Sequence, residues 1–158
     1  MPPALSCAAV RTPESHSPLR LHGPDDPGRA EVERFIRAVY AERFGATVRR
    51  FAPCLVSLRD GEGRIVAAAG YRFAGMQPLF LERYLDEPVD AALHRRAGAR
   101  PAREGIVEVG HLAAARAGEG RRLILLLGPH LAERGAQWVV STLTEELRHL
   151  FVRMGITP

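Results

Sequence analysis

A chain of 158 residues with 46% hydrophobic and 25% charged residues suits one globular domain, which excludes a wholly disordered protein and a second full domain. Its longest apolar runs, such as Leu123 to Leu127, are far shorter than the roughly 20 residues a membrane-crossing helix needs. The formal charge is +4, but the sequence contains no Lys and no Asn, so every strong base is Arg; that bias follows GC-rich coding, and scattered arginines without a reading motif give no nucleic-acid partner.

Two cysteines, Cys7 and Cys54, cannot build a disulfide framework and show no Cys-x-x-Cys or Cys/His ligand spacing. No metal site is expected, Cys54 reads as a small hydrophobe, and a reducing cytoplasm is the default location. Residues 1–24 hold five prolines, and Met1 to Val10 lack a basic start and a long apolar stretch. They are expected to form a flexible tail and not a leader, with one domain over 25–158.

The domain opens with Asp26-Pro27, an acceptor followed by a first-turn proline, and Val32, Phe35, Ile36, Val39, Tyr40 and Phe44 lie on one helical stripe that Gly45 ends. Val48 to Leu58 predicts a strand, joined through Arg59-Asp60-Gly61-Glu62-Gly63-Arg64 to a second strand, Ile65 to Phe73, as a hairpin. Gly75 to Ala97 is mixed, with a short helix from Pro88 through Leu93. Ile106 to Leu112 predicts a buried strand, Gly118-Glu119-Gly120 a turn, and Arg121 to Arg134 a helix closed by Gly135. Gln137 to Leu143 predicts another strand with Trp138 in the core, and Thr142-x-x-Glu145 a capping box for a last helix, Glu145 to Met154. The order predicts an α/β (α+β) domain with a mixed sheet.

The glycine turn carries the most suggestive chemistry. Glycines between a strand and a helix let backbone N–H groups face an anion, and the helix dipole reinforces them. Arg121 and Arg122 open that helix, where cations oppose the dipole, so either a bound anion or solvent exposure accounts for them. In the preceding strand Glu108 is flanked by apolar residues, a setting for a buried carboxylate that either acts as a base toward an amine or pairs with an arginine. His111, three residues on, either relays a proton or serves structure. Thr142 ends the neighbouring strand, where capping competes with substrate contact, and Arg83 with Glu82 either borders a substrate entrance or covers a solvated face.

This element order resembles the GCN5-related N-acetyltransferase superfamily. Phe80 to Val89, Ile106 to Ala113 and Trp138 to Thr142 resemble the thermostable hemolysin family, a divergent branch near the acyl-homoserine-lactone synthases, over about Ala30 to Gly155. The resemblance implies a mixed β-sheet flanked by helices, an acyl-CoA or acyl carrier protein thioester as co-substrate, no metal, and a small-molecule amine that attacks the thioester directly. It makes Glu108 and His111 catalytic, Gly118, Gly120, Arg121 and Arg122 binders of the donor, and Arg83 and Thr142 binders of substrate. A β-bulge near Gly110 is expected to splay two strands for the pantetheine arm.

The sequence also departs from the superfamily pattern. Ala115 stands at the first position of the phosphate motif with Arg116 one place late, Phe151 stands where many members carry a proton-donating Tyr, and His111 stands where Asn is usual. The superfamily continues into a final hairpin, so the expectation here is either that those last strands are absent or that this is a shortened chain. Two other readings remain at this point: a membrane-damaging protein, for which no amphipathic segment is spare, and a thioester-binding module without turnover.

Overall fold

The computed structural model describes residues 18–98, 100–143 and 145–155, without the side chains of 145–147 and 151. Five strands form one sheet in chain order: β1 (Leu19–His22), β2 (Cys54–Arg59), β3 (Ile65–Phe73), β4 (Ile106–Ala114) and β5 (Trp138–Val140). The first four are antiparallel, and β5 runs parallel to β4. The helices are α1 (Arg29–Phe44), α2 (Val89–Ala97), α3 (Glu119–Glu133) and α4 (Glu145–Arg153), with short 3-10 turns at Phe80–Tyr84 and Arg103–Gly105.

Alternation along the strands assigns each helix a face. Cys54, Val56 and Leu58 of β2 and Ala67, Ala69 and Tyr71 of β3 pack with Leu123, Leu127 and Leu131 of α3. The intervening Leu55 and Ala68 pack with Val32, Ile36 and Val39 of α1. A central strand covered on both sides must be apolar throughout, and the small residues Ala67 to Gly70 let both helices approach it closely. A third cluster, Ala74, Leu79, Val89 and Ile106, seats the segment containing α2. Trp138 is half-buried against that cluster.

Most expected elements are present. Gly45 ends α1 in the left-handed region at φ 58°, and the β2–β3 hairpin closes through the Asp60 N–H donating to the Arg64 carbonyl at 2.9 Å, with Gly63 at φ 80°. Three expectations need correction. Residues 19–22 are not tail but an edge strand, held by pairing Leu19 to Leu58 through His22 to Leu55. His22 is buried; its Nδ1 lies 2.6 Å from Asp26 Oδ2 and its Nε2 2.8 Å from Ser57 Oγ, which ties β1 to β2 and to the approach to α1. The first of the two long strands begins at Cys54 and not Val48, because the carbonyls of Ala52 and Pro53 accept from Arg29, at 2.8 and 2.9 Å, and Pro53 has no N–H for a ladder. Third, Cys54 is buried but disulfide-bonded, and is not the inert small hydrophobe expected in a reducing compartment. The remaining stretch of the tail, residues 1–17, and residue 144 within the expected capping box lie outside the described residues. No described helix is long and apolar enough to cross a membrane.

Candidate active site

β4 and β5 stay paired only from Ile106 with Trp138 to Glu108 with Val140. Beyond that point β4 continues to Ala114 while β5 ends, so the two strands part and the β5-facing edge of β4 is left without a strand partner among the described residues. Ser141 Oγ donates to the Val109 carbonyl at 2.8 Å, closing the fork at its apex. On its other side β4 is irregular. Ala68 pairs with Ala113 and Gly70 with Gly110, so His111 and Leu112 both face Ala69. This is a β-bulge at the expected place, and His111 carries it at φ 54°, a left-handed value costly for a side chain without local support.

A groove of about 1200 Å³ runs along this break. The C-terminal half of α1 and residues 46–52 form one wall; residues 108–112 of β4 form the floor; the turn from Arg116 to Arg121 closes one end and Arg72, Phe80 and Arg83 the other. Eight of its lining residues are arginines and only one, Glu108, is acidic. That lining creates a strongly positive field in a concave site and favours a polyanionic ligand. A smaller pocket of about 290 Å³ adjoins it, lined by Arg72, Arg83 and Glu82 among others.

Gly118 caps α3 at φ 91°, a conformation glycine adopts without penalty. The Glu119 N–H is used by the Arg116 carbonyl at 3.3 Å, whereas the Gly120 and Arg121 N–H groups have no backbone partner among the described residues. These are orphan donors of a first helical turn, directed to the groove's end. A Cβ on Gly120 would sit 3.4 Å from the Ala114 Cβ, an ordinary contact, so α3 starts against β4 with room for a methyl group. Gly118, Gly120, Arg121 and Thr142 therefore line the groove together. Arg122 does not; it points to Glu119, 3.7 Å away, and stands off the lining.

Glu108 lies in the floor and is 7% exposed. Its two oxygens accept from the Phe80 N–H at 2.9 Å and the Leu81 N–H at 2.7 Å, and Arg72 Nε lies 3.4 Å away. The carboxylate thus pins the 80–84 turn to the sheet. Glu82, expected beside a substrate entrance, is likewise committed: it accepts from the Leu79 and Val89 N–H groups at 2.7 and 2.8 Å and from Arg103 at 2.7 Å. These donors hold its carboxyl down at about 2. Arg83 stacks over the Phe80 ring at 5.0 Å and is exposed at the mouth.

His111 packs its ring against Phe51, with centroids 5.3 Å apart, and its Nε2 accepts from the Ala52 N–H at 3.3 Å. Burial, then the charges of Arg72 and Arg29, push its pKa down to about 4. Gly70 provides the room: a Cβ there would sit 2.9 Å from the His111 Cδ2. Phe151 has its side chain outside the described residues, so the expectation attached to it stays untouched by the geometry.

Arg72, Gly70, Arg29 and Ala52 belong to this site yet stand in no sequence motif. Gly70 alone carried a signal, since a glycine inside a strand marks a bulge or a close approach. No group of three or more His, Cys, Asp or Glu side chains placed to hold a metal occurs among the described residues.

A sequence profile described as thermostable hemolysin matches residues 22–158. No curated protein sequence matches significantly. Among solved structures, TofI in an apo form superposes with a TM-score of 0.64 at 18% identity, covering 86% of this chain and 76% of that one. TofI in a ternary complex with an inhibitor and MTA gives 0.60 at 17% identity, over 86% and 77%. Glucosamine-6-phosphate N-acetyltransferase from Arabidopsis thaliana gives 0.50 at 10% identity, over 89% and 92%. The fold is that of the GCN5-related N-acetyltransferases, in a divergent form.

Proposed function

The chain belongs to the thermostable hemolysin family, and from that membership and the groove we propose that it is an acyltransferase that moves an acyl group from a phosphopantetheine thioester to a small amine. One observation carries the reading: the fork between parallel β4 and β5 opens onto the glycine turn of α3 inside an arginine-lined groove. A pantetheine arm is a chain of amides that can pair with the open edge of β4, and its phosphates suit orphan N–H groups at a helix start.

In this reading Gly118, Gly120 and Arg121 hold the donor's phosphates, with Arg116 nearer to them than Arg122. Thr142 borders the arm and Arg83 the acceptor's entrance. Glu108 and His111 stand by the reacting carbonyl. The amine nitrogen attacks the thioester carbon, a tetrahedral oxyanion forms, and the thiolate leaves. Such chemistry depends on holding two substrates in line and on donors aimed at the oxyanion. Glu108 serves mainly by fixing the turn at Phe80, because both of its oxygens already accept from backbone N–H groups and Arg72 lies beside it.

Coenzyme A and a carrier protein share the phosphopantetheine, and the basic lining suits either. Calorimetry with CoA and with a holo acyl carrier protein separates the two sources. Gly120→Asp places a carboxylate beside the phosphates and should weaken binding by roughly 1 kcal/mol or more, with Gly120→Ala as the steric control. Intact-mass detection of acylated amines from a panel of acyl-CoAs tests turnover. Heat without product would reduce the protein to a binding module. Dye release from liposomes without any CoA heat would favour membrane damage instead.

A further inference from the structure

Resting on the acyl-transfer reading, we propose that His111 is the groove's side-chain oxyanion donor, a neutral imidazole that keeps its proton on Nδ1 and offers it as a hydrogen bond to the thioester carbonyl. The argument begins at Nε2. Its partner, the Ala52 N–H at 3.3 Å, can only donate, so Nε2 must present its lone pair and the single proton of a neutral ring must sit on Nδ1.

The partner is itself held in place. Arg29, 13% exposed at the side chain, donates to the carbonyls of Ala52 at 2.8 Å and Pro53 at 2.9 Å, and Glu33 anchors it at 2.9 Å. The residue whose N–H sets the tautomer of His111 is therefore clamped from α1 through its own carbonyl, and Arg29 is a positioning residue.

The ring's orientation follows from its other contact. Cδ2 packs toward Gly70 on β3, and Nδ1 lies across the ring from Cδ2, so Nδ1 turns away from β3. It makes no hydrogen bond among the described residues, and His111 lines the groove. The bulge sets this geometry: with two residues of β4 facing one of β3, His111 stands at the break in the ladder.

The role excludes base catalysis by this histidine. Its lone pair is spent on Ala52, and the nearby charges of Arg72 and Arg29 oppose protonation. During transfer the amine's lone pair forms the C–N bond, the carbonyl pair moves onto oxygen and returns, and the C–S bond breaks with its pair on sulfur. The amine's proton ends on the departing thiol. His111 gives a hydrogen bond throughout and exchanges no proton.

Nitrogen-15 NMR of the imidazoles in the full-length protein tests the proposal directly, with acetonyl-CoA, a stable ketone analogue of acetyl-CoA, as the probe. The expected result is an Nδ1–H tautomer for His111 at neutral pH and a downfield move of that proton when the probe binds. An Nε2–H tautomer, an imidazolium, or an unmoved resonance despite calorimetric binding overturns this inference alone. No binding heat with either acetonyl-CoA or a holo acyl carrier protein overturns the acyl-transfer reading and this inference with it. In turnover, His111→Leu should lower kcat by about 100-fold with little change in KM, the usual scale for one oxyanion donor. His111→Gln, which keeps an N–H donor, should recover part of that loss, and neither variant should remove a limb from the pH profile. Arg29→Lys should shift the Nδ1–H resonance without denaturing the protein; a pH limb that disappears in His111→Leu would instead make the residue a base and refute the proposal.

Discussion

Replacing Glu108 with Gln distinguishes an anchor from a base. The carboxylate is 7% exposed and accepts from two backbone N–H groups at 2.9 and 2.7 Å, with Arg72 Nε at 3.4 Å. A glutamine keeps the shape, and one oxygen still accepts. Its NH2 group, however, then faces a backbone N–H, donor against donor, and Arg72 loses its counter-charge. One charge-assisted hydrogen bond lost and one buried N–H left unsatisfied sum to about 3 kcal/mol. For a chain of this size that corresponds to a fall in Tm of roughly 10 °C. Calorimetric scans of the wild type and Glu108→Gln measure it, and turnover is followed at a temperature where both are folded. A Tm within about 2 °C of wild type, together with a rate lowered by about 100-fold, would refute the anchoring argument and restore the base.

Gly70→Ala should displace the His111 ring, because its Cβ would stand 2.9 Å from Cδ2 and 3.0 Å from the Ala52 Cβ; the expected loss is about 2 kcal/mol in denaturant melts, and relief by His111→Gly in the same chain would confirm the contact. His111 and His130 are both held down at about 4 against an ordinary 6.5, chiefly by burial. The unfolded chain therefore gains protons that the folded one refuses as pH falls from 6.5 to 4, and stability should drop across that window by on the order of 3 kcal/mol for His111 and by less for the half-buried His130, whose charge water screens. Melting His130→Gln over the same range should give a flatter curve; an identical slope would contradict the assignment. Glu82, depressed to about 2 from 4.5, contributes stability that is present above its unfolded value and is lost as pH falls toward 2. Glu82→Gln should accordingly be less stable than wild type at neutral pH and converge with it in acid, and parallel acid melts would show that Arg103 does not hold it.

Elements with long, unbroken periodicity could be read from the sequence: α1 from its stripe, β3 and β4 from apolar runs bounded by glycines, and α3 from Leu123, Leu127 and Leu131. Short elements could not. Leu19 to His22 sits beside prolines, and only its ladder with β2 and the contacts of His22 make it a strand. Residues 48–53 look like a strand because they are partly apolar, yet Ala52 spends its N–H on His111 and its carbonyl on Arg29, partners distant in sequence. The glycine turn of the site was legible because backbone chemistry is local. The roles of Glu108 and Glu82 were not, since a carboxylate's function depends on which donors the fold brings to it. Of the pair Arg121 and Arg122, only Arg121 lines the groove, because adjacent residues of a helix diverge by about 100°, a difference that a run of two arginines does not show.

The contact of Asp26, His22 and Ser57 has a further consequence. Its order and its spacings of 2.6 and 2.8 Å reproduce the relay that activates a serine in hydrolases, yet Ser57 is 0% exposed in the middle of β2. No acyl group can reach that hydroxyl, so the relay has no substrate and acts as a polar rivet between an edge strand and its neighbour. Hydrogen-bond distances alone would name the wrong enzyme here. What separates a nucleophile from a fastener is a path from solvent, and in this molecule that path leads to the sheet's break, where Ser141 already donates its hydroxyl to the Val109 carbonyl and has no histidine beside it to take its proton among the described residues.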